Sequence, residues 1–330
     1  MADTFRAFVL DQSDGGFRAG IRTLGIDSLP NAPVLVRVTH SSLNYKDGLA
    51  VTNKGKIVRN FPMVPGIDLA GVVESSEDQR FQPGDAVLAT GCGIGEEHWG
   101  GYAEFARLQP EWIVPMPDGL DARRAMALGT AGFTAMLCVE ALEHNGVNPE
   151  SGEVLVTGAS GGVGSTAVML LAKLGYTVVA VSGKPDFTGQ LMDFGAAEVL
   201  PRDAVSGAGK ALESARWSGV VDTVGGETLV RAIAQTKLYG CVAACGNAGG
   251  AALNATVFPF ILRGVTLAGI SSVHQPIAQR LRVWPRLADL VPLDLLEEVT
   301  GEVELGQVEE YASRILRGEI RGRTVIRIAN

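Results

Sequence analysis

Gly158, Gly161, Gly162 and Gly164 sit between an apolar run at residues 153–157 and a stretch in which Val163, Ala167, Leu170, Leu171 and Leu174 share one face. Absent side chains at that spacing let backbone N–H groups approach a pyrophosphate, and a helix N-terminus behind them adds partial positive charge. The setting of strand, turn and helix predicts dinucleotide binding, with Ser160, Gly161, Gly162 and Val163 as contacts. The end of the next strand selects the dinucleotide, because an acidic residue there would bind a ribose 2'-hydroxyl and repel a 2'-phosphate. That segment reads Val179-Ala180-Val181-Ser182-Gly183-Lys184. Ser182 offers a hydrogen bond beside Gly183, Lys184 pairs with a phosphate dianion, and Arg202 closes on the adenosine side, so NADPH is expected over NADH. For both cations the competing reading is a solvated surface charge. Ligands of open parallel sheets lie across the carboxyl ends of the strands, which nominates the 222–226 turn, Gly246-Asn247 and Ser271-Ser272. Asn247 and Ser272 are the polar residues there that would orient the nicotinamide; a bond only to their own loop backbone is the alternative.

These residues need a scaffold, and the pattern supplies two. Up to about residue 124, short β-like runs alternate with turns, at 6–10, 34–39, 70–74, 86–90, 102–107 and 112–115. Val34, Val36 and Val38 alternate with Leu35, Arg37 and Thr39, which fits a strand with one buried face. From residue 125 the rhythm becomes apolar strand, turn and amphipathic helix, as in βαβ units on a parallel sheet. Six strands are expected, at 153–157, 177–181, 198–200, 219–223, 240–245 and 265–270. After about residue 293 a helix at 305–316 and a strand at 323–328 should return to the first domain. The expected class is α/β: a curled β-barrel over 1–124 completed by 294–330, and a doubly wound, six-stranded parallel sheet over 125–293.

Composition narrows the functions. The 330 residues carry a formal charge of -8, against general nucleic-acid binding, so an anionic ligand must meet a local basic cluster. Four cysteines without disulfide or zinc spacing, and a start without a signal pattern, predict a reducing cytoplasm. No run of about eighteen apolar residues escapes a charge or glycine break, so no membrane span is expected.

Longer strings then point to a family. Ser42-Leu43-Asn44-Tyr45-Lys46-Asp47, Pro65-Gly66-Ile67-Asp68 with Gly71, Gly84-Asp85, Gly129-Thr130-Ala131-Gly132-Phe133-Thr134-Ala135 and the glycine turn resemble the medium-chain dehydrogenase/reductase superfamily, a GroES-like barrel followed by a Rossmann domain. The resemblance spans the whole chain. Within its zinc-free, quinone-oxidoreductase-like subgroup, residues 55–62, His98-Trp99-Gly100-Gly101 and Val179-Ala180-Val181-Ser182-Gly183 are similar to the acrylyl-CoA reductase (NADPH) branch. Zinc-bearing members place a cysteine near the position of Asn44 and a His-Glu pair where this chain has Ile67 and Asp68. Cys92 stands alone where their structural-zinc lobe has four cysteines. No metal is therefore expected, and Asp68 and His98 read as hydrogen-bonded structural groups.

Without those ligands, conjugate reduction suits the chain better than alcohol oxidation. Hydride would reach the β-carbon of an enoyl thioester, with charge building on the thioester oxygen and a proton delivered to the α-carbon. The resemblance places Asn44 and Tyr45 at the cleft between the domains. It makes Tyr45 a cofactor contact and the candidate proton source or hydrogen-bond donor, and Thr130 a further cofactor contact. Asn44 would position the carbonyl or ribose, and Arg323 would add positive charge. Tyr45 packing only on the nicotinamide, and Arg323 as a surface ion-pair residue, are the competing readings. Lys54, Lys56 and Arg59 form a basic loop suited to acyl-CoA phosphates, with a merely solvated loop as the alternative. Quinone or enone reduction and a non-catalytic NADPH sensor are the competing functions. An apolar edge strand near Leu267 predicts a homo-oligomer, at least a dimer.

Overall fold

The computed structural model describes residues 3–207 and 209–329. The chain forms two compact units. The first holds the described residues up to Thr130 together with Val273–Asp289 and those from Glu297 onward; the second holds Ala131–Ser272 and Leu290–Leu296.

The first unit opens with the hairpin β1 (Thr4–Ser13) and β2 (Gly16–Gly25), followed by β3 (Val34–Ser42), α1 (Tyr45–Val51), β4 (Asp68–Ser76), β5 (Ala86–Thr90), β6 (Phe105–Leu108) and β7 (Ile113–Pro115). Helix α2 (Ala122–His144) breaks at Gly129, whose φ of 49° and ψ of -153° are not helical. The second unit carries β8 (Glu153–Val156), α3 (Gly162–Lys173), β9 (Thr177–Ser182), α4 (Thr188–Asp193), β10 (Ala196–Pro201), β11 (Trp217–Asp222), α5 (Gly226–Ala234), β12 (Thr236–Ala244), α6 (Phe258–Arg263) and β13 (Thr266–Gly269). The chain closes with α7 (Ile277–Leu290), α8 (Leu293–Glu298), β14 (Thr300–Glu304), α9 (Val308–Leu316) and β15 (Arg323–Arg327).

In the first unit seven strands form one sheet in the order β14-β15-β3-β4-β5-β7, with β6 also paired to β3. The tail returns as expected: β15 pairs antiparallel with β3, Val325 opposite Ser42 and Ile326 opposite Ser41. Strict alternation fails on β3, where Leu35 is buried along with Val34, Val36 and Val38. This strand is central, hydrogen-bonded to β4, β6 and β15, so apolar side chains are wanted on both faces, each worth about 1.5–3 kcal/mol when buried. Strand β2 was not among the expected strands: Gly20 interrupts it, and its Phe17, Ala19 and Leu24 pack on the core while only partly buried.

In the second unit all neighbours in the order β10-β9-β8-β11-β12-β13 are parallel, and all six expected strands are present. Leu155, Val179, Trp217, Val220 and Val242 build its core. The strand order reverses at β8, so the turn after β8 opens at the topological switch point.

The observed division differs from a cut at residues 124 and 293. It falls after Thr130, because Gly129 and Thr130 bend back onto Asp68, and most of α7 goes with the first unit. Arg280 on α7 is fully buried and donates to the Thr90 carbonyl at 2.6 Å and to the Val273 carbonyl at 3.0 Å. Helix α2 is long and apolar enough by composition to cross a membrane, but 83% of its apolar window is buried in the protein.

Candidate functional site

The nucleotide-binding features lie at the carboxyl ends of the second unit's strands. Gly158 has a φ of +60°, and a Cβ there would stand 2.2 Å from Thr223 Oγ1, so this turn runs hard against the end of β11. A Cβ on Gly164 would meet the Gly158 carbonyl oxygen at 2.4 Å, so only glycine seats α3 on the turn. Gly161 caps α3 with no side-chain hydrogen bond, which leaves the first N–H groups of the helix available to an anion. Ser160 is nearly buried beneath, while Gly161 is exposed and Gly162 and Val163 are half-buried.

Asp222 holds this architecture from below. Buried at the end of β11, it accepts from Thr157 Oγ1 at 2.7 Å and from the Gly225 N–H at 2.7 Å, tying the turn after β8 to the turn after β11. Burial pushes its carboxyl upward. The 222–226 turn, expected beside a cofactor, has its carboxylate engaged by Thr157 and Gly225.

At the end of β9, Ser182 Oγ accepts from the Lys184 N–H at 3.1 Å. The guanidinium of Arg202 lies directly over Gly183: a Cβ there would be 2.8 Å from Nη2 and 3.0 Å from Cζ. Glycine at 183 thus brings a cation from beyond β10 beside Ser182 and Lys184, residues that only the tertiary structure joins. Asn247 is exposed after β12, and Ser272 is half-buried after β13. The residues fit a 2'-phosphorylated dinucleotide: an open helix N-terminus, a glycine cradle and two cations with no acidic side chain at the end of β9.

In the first unit, Ser42, Asn44, Asp47, Asp68, Tyr102, Thr130 and Arg323 form one polar cluster. Asp68 accepts from Ser42 Oγ at 2.5 Å, Asn44 Nδ2 at 2.8 Å, the Thr130 N–H at 2.9 Å and Thr130 Oγ1 at 2.5 Å. Asp47 accepts from the Asn44 N–H at 2.9 Å and the Ile67 N–H at 3.0 Å, which fixes the start of α1 to the loop before β4. Burial, with the charge of Asp68 as a lesser cause, raises the Asp47 carboxyl to about 7. Burial also raises the Tyr102 phenol, which donates to the Ser42 carbonyl at 3.1 Å. Gly129 admits its strand of backbone to the cluster, since a Cβ would lie 2.5 Å from Asp68 Oδ2.

The geometry places three of the expected residues in this cluster and corrects one alternative reading, that Arg323 lies at the surface. Asn44 is 8% exposed, its Oδ1 accepts from Arg323 Nη1 at 3.2 Å, and its Nδ2 faces Ser42, Asp47 and Asp68, so nothing of the amide is left to orient a substrate. Arg323 is 4% exposed and donates through Nε to the Ala127 carbonyl at 2.7 Å, so it is not a surface ion-pair residue, while its Nη2 is buried with no hydrogen-bond partner among the described residues. Burial lowers its guanidinium. Thr130, expected at the cofactor, gives both its N–H and its hydroxyl to Asp68. The one signal that could have revealed the cluster is a carboxylate inside the apolar run Ile67-Asp68-Leu69-Ala70.

Tyr45 differs from these neighbours. It begins α1 one residue after Asn44, is 42% exposed, and has no hydrogen-bond partner among the described residues. The cluster below holds the helix while the phenol above is left outward. Lys54, Lys56 and Arg59, beyond the other end of α1, are exposed. His98 is structural: its Nε2 meets the Arg107 carbonyl at 2.7 Å and its ring packs edge-on against Trp112.

Comparison with known proteins agrees with this layout. Residues 30–118 match the alcohol dehydrogenase GroES-like domain, and residues 162–290 match the zinc-binding dehydrogenase family. A probable acrylyl-CoA reductase of Escherichia coli (strain K12), AcuI, is 53% identical over 323 residues, covering 98% of this chain and 99% of the relative. The acrylyl-CoA reductase AcuI of Ruegeria pomeroyi is 50% identical over 325 residues, covering 98% of each. The crystal structure of the YhdH oxidoreductase from Salmonella enterica in complex with NADP superposes with a TM-score of 0.96 at 51% identity, over 98% of this chain and all of that one. The zinc in the second family's description does not suit this chain. Among the described residues no group of three or more His, Cys, Asp or Glu side chains could hold a metal ion, and the oxygens of Asp68 are taken by Ser42, Asn44 and Thr130.

Proposed function

The chain belongs to the medium-chain dehydrogenase/reductase superfamily, and from that premise we propose that it is an NADPH-dependent reductase of the carbon–carbon double bond of acrylyl-CoA, giving propionyl-CoA. The observation that carries the reading is the Arg202 guanidinium over Gly183, next to Ser182 and Lys184 in sequence, on a chain half identical to named acrylyl-CoA reductases. NADPH supplies the hydride when bound. The α3 N-terminus, with Ser160, Gly161, Gly162 and Val163, takes the pyrophosphate; Ser182, Lys184 and Arg202 take the 2'-phosphate. Asn247 and Ser272 orient the nicotinamide. Tyr45, the exposed phenol of α1, donates a hydrogen bond or proton to the thioester, while Asn44, Asp47, Asp68 and Arg323 act through it by fixing the helix.

Initial rates with acrylyl-CoA, crotonyl-CoA and a simple quinone, each with NADPH and NADH, test the reading. Acrylyl-CoA with NADPH is expected to be fastest, and Tyr45→Phe to lower kcat about 100-fold, within the range for a positioned acid. Equal or faster turnover of the quinone would transfer the chain to quinone reduction.

The same reading takes the protein to be a cytoplasmic homodimer. Strand β13 ends the parallel sheet, and Ile261 and Leu262 on α6, with Val257 just before it, are exposed, so a second copy paired edge to edge about a two-fold axis would cover both. Light scattering should give twice the chain mass, and the monomer mass for Leu267→Lys. Free thiols at Cys92, Cys138, Cys241 and Cys245 suit a reducing compartment; alkylation of all four in extract denatured without prior reduction checks it.

A further inference from the structure

Residues 48–67 contain Lys54, Lys56 and Arg59 and no Asp or Glu. The carboxylates that bracket this window, Asp47 and Asp68, are buried and spent on Asn44, Ile67, Ser42 and Thr130. Elsewhere in the first unit exposed cations commonly find acids, as in Arg6 with Glu104, Arg22 with Asp11 and Arg80 with Asp78 and Glu111. Lys54, Lys56 and Arg59 have no ion pair among the described residues, and all three are exposed. On a chain of charge -8, three unpaired cations within six residues make a local site for an anion.

The loop that carries them is held rigidly from behind. At its start the Lys54 N–H donates to the Leu49 carbonyl at 3.0 Å, and at its end Met63 exchanges backbone hydrogen bonds with Leu10 on β1, at 2.7 and 2.9 Å. Between these anchors Ile57, Val58 and Phe61 pack against the barrel core, and Phe61 meets Phe17 edge-on. Apolar side chains therefore point inward while Lys54, Lys56 and Arg59 stay outward, so their positions are set before a ligand arrives. The spacing from Tyr45 also suits a long substrate: α1 has seven residues, a rise of about 10 Å, and the cations follow its far end.

We propose that Lys54, Lys56 and Arg59 bind the phosphates of the 3'-phospho-ADP end of coenzyme A, with the pantetheine arm running along α1 to bring the thioester to Tyr45. The proposal rests on the enoyl-thioester reading above. The cations select the CoA carrier and take no part in hydride or proton transfer.

The experiment compares acrylyl-CoA with acrylyl-pantetheine, which keeps the reacting group and lacks the phosphates. Native protein and the triple variant Lys54→Ala/Lys56→Ala/Arg59→Ala are assayed with saturating NADPH, and binding of unacylated CoA is measured by calorimetry. The triple variant is expected to raise KM for acrylyl-CoA about 30-fold with kcat within about twofold, and to leave KM for acrylyl-pantetheine and for NADPH unchanged. The charge-keeping variant Lys54→Arg/Lys56→Arg/Arg59→Lys should restore most of the affinity, and raised salt should erase the native advantage of CoA over pantetheine. An unchanged KM for acrylyl-CoA, or equal increases for both thioesters, overturns the proposal while leaving the reductase reading intact. If neither thioester is reduced, the reductase reading fails; calorimetry then decides this proposal separately, upheld by weaker CoA binding in the triple variant and overturned by equal binding.

Discussion

The polar cluster around Asp68 and the glycine turn after β8 invite direct comparison, since each gathers charge or hydrogen-bonding capacity at the end of strands. They spend it oppositely. In the cluster every oxygen of Asp68 and the whole amide of Asn44 are engaged by protein groups. At the turn, glycines replace side chains and α3 has no side-chain cap among the described residues, so the capacity points outward. A polar group that the fold has satisfied is architecture; one that the fold has left open belongs to a ligand. The same rule separates Asn44 from Tyr45, adjacent in sequence and opposite in role.

Breaking the satisfied region should give the largest effect. Arg323→Met removes the cation beside two buried carboxylates and the donor to Asn44 and Ala127, and is expected to cost about 3–5 kcal/mol in urea unfolding. A loss below 1 kcal/mol would mean the cluster is not the structural unit described. Gly164→Ala places a Cβ 2.4 Å from the Gly158 oxygen and should cost about 1–3 kcal/mol while weakening NADPH binding at least tenfold, read by fluorescence titration. Undiminished NADPH affinity would show that the seating of α3 on its turn is irrelevant to the coenzyme.

Changes in the open region should spare the fold and alter recognition. Lys184→Ala/Arg202→Ala is expected to raise KM for NADPH about 10- to 100-fold, to leave that for NADH unchanged, and to move thermal stability little. A parallel rise for both coenzymes would assign the two cations to something other than the 2'-phosphate.

A pH series sharpens the comparison further. Because the Asp47 carboxyl is raised to about 7 in the folded protein, its contribution to stability is full below the ordinary carboxylate range and is lost as pH rises toward that value. Asp47→Asn removes this dependence, so the variant should gain on the native protein by about 1.4 kcal/mol per pH unit between pH 5 and 7, and no further above pH 8. Parallel denaturation curves across that range would show that Asp47 does not titrate there.

Much of this was legible in the residues themselves. The six parallel strands announced themselves by apolar runs separated by helical periods, and the glycine turn by its position between 157 and 165. Strands β2 and β14 did not, because their apolar signal is weak: Ile21 is exposed on β2, whose Phe17, Ala19 and Leu24 are only partly buried, and Val303 is the only buried residue of β14. The break in α2 at Gly129 was hidden in a marker string whose glycine could as well have served a helix contact.

Local order along the chain determined the class of fold, the phosphate-binding turn and the want of an acid at the end of β9, since all three depend on neighbours a few residues apart. Only folding decided that Arg202 would cover Gly183, that Arg323 would reach Asn44 across 279 positions, and that Tyr45 would remain open to solvent. Whether a polar side chain is consumed or offered depends on partners brought from distant segments, and that is a property of packing which no short window of sequence contains.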